Sequence, residues 1–175
     1  QHNRGQDGAG FASIKLDCNP GERFMHRERS ANQNPIKEIF ELSNNRIQSE
    51  LRNNPNLNGN LDLQKKEIPH ISELFLGHVR YGTFGKNSKE AVHPFLRQNN
   101  WMNRNLIVAG NFNMTNNKEL FDDLVSLGQH PKEMSDTVTV MENIGHFLDE
   151  AVIKIYKKLR KEGFSKPDAS KIIGQ

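Results

Sequence analysis

Apolar and polar positions alternate in the first half of the chain, and they fall at helical spacing in the second half. The alternation after residue 10, and short apolar runs bounded by Gly, Pro or Asn, predict β-strands. The predicted strands cover residues 11–16, 21–27, 74–81 and 105–109. The last two run directly into polar loops, so we expect chemistry at those strand ends.

Helices are predicted where a capping residue precedes an apolar stripe. A short helix is predicted at 35–42. Asn116 or Asn117 caps a helix at 118–127, and Ser135 or Asp136 caps one at 137–150 that continues into a Lys-rich helix. Strands come first and helices later, which predicts an α+β fold.

The middle of the chain is poor in apolar residues. Between residues 44 and 60 there are seven Asn, together with Pro55 and Gly59. This composition predicts a polar insertion rather than part of a core. With 175 residues and 34% apolar content, the chain is long enough for one core, so we treat 1–175 as one partial domain.

Composition excludes several classes of function. No run approaches the roughly 18 apolar residues of a membrane span, so no membrane partner is expected. The charges that sum to +3 are scattered, which argues against nucleic-acid binding. The basic cluster at 154–161 is interpreted as the solvent face of an amphipathic helix. The single Cys18 fits a reducing, cytoplasmic location, and the seven His lack zinc-ligand spacing, so neither metal nor cofactor is expected.

The chain opens with a glycine-rich loop. Gly5, Gly8 and Gly10 surround an Arg and an Asp, and they precede the first strand. Glycine permits positive φ and lets other groups approach the backbone closely, as a tight turn or a ligand-facing loop requires. Both interpretations stay open from the local sequence.

Three strand-end or helix-start segments carry candidate chemistry, and each also has an ordinary structural explanation. In GHVRYGTFG, Arg80 and Thr83 suit a carboxylate, although Arg80 also suits a surface ion pair. In AGNFNMTN, Asn111 and the N–H of Phe112 suit an oxyanion, although a turn with an Asn cap explains them too. Asp136 suits a ligand ammonium, although it is also a typical helix cap.

The order of these segments changes their weight. RGQDGAG, GHVRYGTFG followed by HPF, GNFNMTN, and SD at a helix start together resemble the class II glutamine amidotransferase domain. The corresponding family pattern is HRGQDSAG, GHVRYSTAG with QPF, HNGNLTN, and SDSE. RGQD and HVRY favour the glutamine phosphoribosylpyrophosphate amidotransferase branch over the glucosamine-phosphate synthase, glutamate synthase and asparagine synthetase branches. The resemblance covers about residues 1–165.

The resemblance implies a fold and a nucleophile. The fold is that of N-terminal nucleophile hydrolases, a four-layer αββα sandwich, which we expect to be incomplete at both ends of this chain. The family's nucleophile is an N-terminal Cys that precedes the RGQD loop. Cys18 follows that loop and has no free α-amino group, so we expect this chain alone to release no ammonia from glutamine.

The resemblance also implies residue roles. Arg80, with Thr83 beside it, holds the α-carboxylate of the substrate glutamine, and Asp136 takes the α-ammonium. Asn111 and the N–H of Phe112 form the oxyanion hole. Arg4 and Gly5 shape the wall near the nucleophile, and Asn113 supports the oxyanion loop. By this resemblance, the full-length parent protein passes the ammonia to phosphoribosyl pyrophosphate in purine synthesis. The resemblance also leaves open a homo-oligomer that forms through the parent's phosphoribosyltransferase domain.

Departures from the family pattern keep a second function class open. Phe112 stands where the family has Gly, Gly110 where it has His, and Gly82 where it has Ser or Pro. A ring at 112 can close the glutamine pocket, and we expect it to lie at least partly across the cleft between Arg80 and Asn111. The alternative to an amidotransferase is therefore a catalytically degenerate domain that binds glutamine or a protein partner.

Overall fold

A computed structural model describes residues 7–81 and 88–174 of the chain. The chain divides into two compact units, Gln1–Pro94 and Phe95–Gln175. Their elements are antiparallel strands and α-helices, which is an α+β composition.

The first unit is built on a three-stranded antiparallel sheet in the order β2-β1-β3. Its strands are β1 (Gly8–Ile14), β2 (Met25–Ser30) and β3 (Leu74–Arg80). All three predicted strands therefore exist, and β3 has nearly the predicted bounds. In the register, Gly10 lies opposite Arg29 on β2 and opposite His78 on β3, while Gly8 lies opposite Arg80.

Helix α1 (Pro35–Asn53) packs on one face of this sheet and is followed by a 3-10 turn at Pro55–Leu57 and by α2 (Leu61–Glu67). The prediction that the helix ends at residue 42 was wrong. Buried positions at Ile39 and Ser43 continue with a half-buried Ile47, so helical spacing extends beneath the exposed Asn residues. Asn content alone misplaced the end of the helix, because an exposed helix face tolerates polar residues.

The core of the first unit lies between β1 and α1. Ala9 and Phe11 of β1 are buried against Ile39, and Ile36 and Val79 pack around them. Side chains alternate across a strand, so Gly8, Gly10, His78 and Arg80 belong to the opposite face of the sheet. That opposite face is where the sequence-predicted chemistry begins.

A segment of the first unit crosses this second face. It follows a 3-10 turn at Lys89–Ala91. A Cβ atom added to Gly8 would lie 2.8 Å from Val92 Cγ2, and one added to Gly10 would overlap the carbonyl oxygen of His93. The crossing segment thus touches the β1 backbone, so Gly8 and Gly10 serve close approach.

The second unit holds a two-stranded antiparallel sheet and three helices. The elements are β4 (Phe95–Arg97), β5 (Leu106–Val108), α3 (Asn117–Ser126), α4 (Asp136–Lys161) and α5 (Lys166–Gly174). A 3-10 turn at Met102–Arg104 connects the two strands. The sequence pattern missed β4, whose three residues are too few to establish a period. The helices at α3 and α4 are confirmed, as is the exposure of the basic cluster on α4.

A buried arginine joins β4 to α4. Arg97 donates from Nε to Glu142 Oε2 (3.1 Å) and from Nη2 to Asp149 Oδ2 (2.6 Å). Its Nη1 donates to the carbonyl oxygen of Arg104 at 2.9 Å. The guanidinium crosses α4 at Gly145, where an added Cβ would lie 2.6 Å from Arg97 Cζ. This contact positions α4 against the strands that lead to residues 110–113, the GNFN loop.

Candidate functional site

Arg80 ends β3 and belongs to the sheet face crossed by residues 92–94. The residue is half-buried. Its Nη1 atom is buried and has no hydrogen-bond partner among the described residues. A buried unpaired donor costs about 1–3 kcal/mol, and more when it is charged. A carboxylate bound to this guanidinium would offset that cost, which agrees with the role implied for Arg80.

Two histidines that the sequence analysis left unassigned lie on the same face. The rings of His78 and His93 meet edge to face, with centroids 4.6 Å apart. His78 Nδ1 is buried without a hydrogen-bond partner among the described residues. The spacing His-x-Arg on a predicted strand was the available signal for His78, since it puts both side chains on one face.

Both imidazoles favour the neutral form. Burial lowers the pKa of His78. The pKa of His93 is lowered to about 4, chiefly by burial and also by the nearby His78, Arg80 and Arg29. Arg29 in turn fixes the crossing segment, because its Nη1 donates to the carbonyl oxygens of Glu90 (3.0 Å) and Val92 (2.9 Å). The face is thus basic, with the cationic charge concentrated on arginines.

Asp136 connects the start of α4 to the GNFN loop. Its Oδ2 accepts a hydrogen bond from the backbone N–H of Met114 at 2.8 Å. The N-cap of α4 is Ser135, whose side chain accepts from the N–H of Val138, so Asp136 is the first helical residue. Two of the sequence motifs, at 110–116 and 135–136, are therefore neighbours within the second unit.

The GNFN loop itself lies at the surface. Asn111, Phe112 and Asn113 are exposed. The Phe112 ring folds back over Gly110, where an added Cβ would lie 2.7 Å from the ring atoms Cε2 and Cζ. The ring thus fills the space that a side chain at residue 110 would need. The two departures from the family pattern, at 110 and at 112, are physically coupled.

Several predicted site residues have no test in this structure. Arg4, Gly5 and Thr83 lie outside the described residues, as does Gly82. Arg80 belongs to the first unit, whereas Asn111 and Asp136 belong to the second. Their convergence on one pocket, and the reach of the Phe112 ring into it, therefore stay predictions.

Cys18 has the properties of a structural thiol. It is half-buried, and burial raises the pKa of its thiol. The thiolate, which is the nucleophilic form, is disfavoured there. This agrees with the expectation that Cys18 does not act as a nucleophile.

A buried Ser-His-Glu chain lies on the α1 face of the sheet. His70 Nε2 lies 3.3 Å from Glu28 Oε1, and its Nδ1 lies 3.1 Å from Ser13 Oγ. With Nε2 donating to the carboxylate, Nδ1 accepts from the Ser13 hydroxyl. Ser13 is completely buried, so a substrate carbonyl cannot reach its hydroxyl in this structure. The chain is interpreted as a satisfied polar network within the core.

The described residues contain neither a metal-ligand cluster nor a membrane-spanning helix. Within residues 7–81 and 88–174, no three His, Cys, Asp or Glu side chains are grouped as metal ligands. None of the helices described has both the length and the apolar character needed to cross a bilayer.

Comparison with known proteins gives a partial match. The chain is 36% identical over 88 residues to the glutamine–fructose-6-phosphate aminotransferase (isomerizing) of Sulfurisphaera tokodaii. The matched residues make up 50% of this chain and 14% of that relative. No protein-family profile matches the chain, and no solved structure matches it. The match supports a relationship to glutamine amidotransferases in general, without supporting the phosphoribosyl branch.

Proposed function

We propose that this chain is the glutamine-binding part of a glutamine amidotransferase with the N-terminal nucleophile hydrolase fold. The observation that carries the proposal is the buried Nη1 of Arg80 at the end of β3, for which residues 7–81 and 88–174 supply no hydrogen-bond partner. The ordered motifs and the partial match to a glutamine-dependent aminotransferase support it. Arg80 holds the α-carboxylate of glutamine in this proposal, and Asp136 holds the α-ammonium.

The remaining roles follow the strand-end loops. Asn111 and the N–H of Phe112 stabilise the oxyanion that forms when the parent's nucleophile attacks the side-chain amide. Such a donor is typically worth about 3 kcal/mol of transition-state stabilisation. The Met114 contact to Asp136 supports this assignment, because it couples the oxyanion loop to the ammonium site. Thr83 and Asn113 assist on the substrate side, and Arg4 and Gly5 border the nucleophile.

Binding of L-glutamine to the chain tests the carboxylate role of Arg80. Replacing Arg80 by Gln should weaken binding at least about tenfold, because a charge-assisted contact to a carboxylate contributes roughly 1.5–3 kcal/mol. Isothermal titration calorimetry measures the change. Arg52→Gln, at an exposed position of α1, is the matched control and should bind as the unaltered chain does. Equal affinities for the Arg80 variant and the control would remove Arg80 from the site.

The ammonia acceptor is a separate proposal. RGQD and HVRY imply phosphoribosyl pyrophosphate, whereas the similar protein is named for fructose 6-phosphate. We propose phosphoribosyl pyrophosphate, with purine synthesis as the setting. In the parent protein, this acceptor should stimulate glutamate formation from glutamine. Stimulation by fructose 6-phosphate instead would reassign the acceptor.

The alternative function, a catalytically degenerate domain, depends on Phe112. The sequence-based expectation places the ring partly across the cleft; because the ring is folded onto Gly110, we propose instead that it leaves room for substrate. Phe112→Gly should then change the affinity for L-glutamine less than about threefold. Calorimetry on the unaltered chain and on the variant measures this. Phe147→Gly is unsuitable as a control, because Phe147 lies within α4 and a glycine there would destabilise the helix. Phe112→Leu serves instead, because it removes the ring but keeps apolar bulk. Binding at least tenfold tighter in Phe112→Gly would favour the degenerate class.

A further inference from the structure

His78 and Arg80 lie on the same face of the sheet in the first unit. They are two residues apart on β3, so both side chains leave the same face with their Cα atoms roughly 7 Å apart. The residues opposite them on β1 are Gly8 and Gly10, which contribute no side chain. Nothing on β1 therefore separates the imidazole from the guanidinium on this face.

One ring nitrogen of His78 makes no hydrogen bond to the described residues and is therefore available to a ligand. Its Nδ1 is buried and lacks a hydrogen-bond partner among the described residues, as does Nη1 of Arg80. Two buried polar atoms on one basic face, both without partners in the part of the chain that the structure describes, are best satisfied by a shared anion. A carboxylate accepts from both groups at once when the imidazole carries its proton on Nδ1.

We propose that His78 forms the carboxylate site together with Arg80 and takes up a proton when an anion binds there, so that binding strengthens as the pH falls below neutrality. The proposal rests on the proposed function for the identity of the carboxylate, which is the α-carboxylate of glutamine. His78 is a positioning and charge-adjusting residue of that site.

The charges around His78 determine whether anion binding raises or lowers its pKa. Among the described residues, they are Arg80 on β3, His93 on the crossing segment, and Arg29 on β2, which acts on His93. Asp7 lies in the turn before β1, next to Gly8. The groups named on β2, β3 and the crossing segment are cationic or neutral, so they disfavour a second proton on the His78 imidazole until an anion arrives. A bound carboxylate reverses this balance and raises the pKa of His78.

His78, rather than His93, is the residue expected to titrate. The pKa of His93 lies at about 4, because burial and the neighbouring His78, Arg80 and Arg29 act on it together. For His78 the lowering of the pKa comes from burial alone. An anion at Arg80 therefore brings His78 into the range near neutrality first.

The test is a histidine NMR titration of the 175-residue chain, alone and with saturating L-glutamine or acetate. We expect the titration midpoint of His78 to rise by about half a pH unit or more with either anion. L-glutamine should also bind about threefold tighter at pH 6 than at pH 8 by calorimetry. L-glutamine amide, whose α-carboxylate is a neutral amide, should leave the midpoint of His78 in place.

Variants separate a positioning role from a structural one. His78→Gln should bind L-glutamine about threefold more weakly than the unaltered chain at pH 6 and should show no pH dependence between pH 6 and pH 8. Arg80→Gln should abolish the anion-induced change at His78. His130→Gln, at an exposed position, is the matched control and should keep the pH dependence. If His78→Gln is unfolded, the midpoint of His78 in the unaltered chain and in Arg80→Gln still decides.

The outcomes separate this inference from the proposed function. A rise at His78 with acetate but no binding of L-glutamine would overturn the proposed function and support the anion site. Binding of L-glutamine with an unchanged His78 midpoint would overturn the inference and leave the proposed function intact. An unchanged midpoint with both anions would also overturn the inference.

Discussion

Replacing Gly10 by alanine is expected to lower the free energy of unfolding by about 3 kcal/mol or more. The added Cβ would overlap the carbonyl oxygen of His93 and would lie 3.1 Å from the carbonyl oxygen of Glu28. Both obstacles are backbone atoms, so no side-chain rotation relieves the overlap. Either β1 or the crossing segment must shift, and the shift would also displace His93 from His78.

Urea denaturation followed by circular dichroism measures the effect of Gly10→Ala. Gly77→Ala is the matched control, because Gly77 also lies within a strand of the same sheet and its added Cβ would lie 4.0 Å from the carbonyl oxygen of Gly10. We expect the control to be neutral or slightly stabilising, since alanine costs less backbone entropy than glycine. Identical unfolding midpoints for the two variants would contradict the close approach of residues 92–94 to β1.

Arg97→Met is expected to destabilise the second unit by about 3 kcal/mol. The side chain of Arg97 is 13% exposed and neutralises Glu142 and Asp149 on α4. Methionine retains the apolar volume over Gly145 but leaves these carboxylates without their principal cation. The carboxylates are about one quarter exposed, which keeps the loss at the lower end of the range for buried ion pairs.

Thermal and urea unfolding measure the loss, with Arg52→Met as the exposed control. A triple variant, Arg97→Met with Glu142→Gln and Asp149→Asn, isolates the cause. If unpaired carboxylates are responsible, the triple variant recovers a large part of the lost stability. A triple variant no more stable than Arg97→Met would indicate that packing across Gly145, rather than charge, holds β4 on α4.

Local signals predicted the elements that depend on local interactions. The apolar run of β3 and the capping Ser135 of α4 gave the correct element types, because strand alternation and helix caps act over a few residues. The pairing of basic positions with a helical apolar stripe correctly predicted an exposed cationic face on α4. Arg80 was singled out at its strand end on the same grounds.

Predictions failed where the outcome depended on a distant partner. The end of α1 was misplaced because its later turns depend on distant residues: Arg46 Nη1 lies 3.3 Å from Glu28 Oε1 on β2, and Ile47 is half-buried. Strand β4 was missed because three residues carry no period, and its existence depends on pairing with β5. Composition does not predict such contacts, since it depends on residue types and not on which residues become neighbours in the fold.

The sequence by itself determined which residues are suited to chemistry and where they stand along the chain. Arg80, Asn111 and Asp136 follow strands or begin a helix, and their order supplied the family resemblance. Only the tertiary structure decided what surrounds them: the crossing segment that requires Gly10, the ring that covers Gly110, and the His78 imidazole on the sheet face of Arg80, whose Nδ1 has no hydrogen-bond partner within the described ranges. The physical reason is that backbone preferences act over a few residues, whereas steric overlap, burial and charge depend on residues that are distant in the chain.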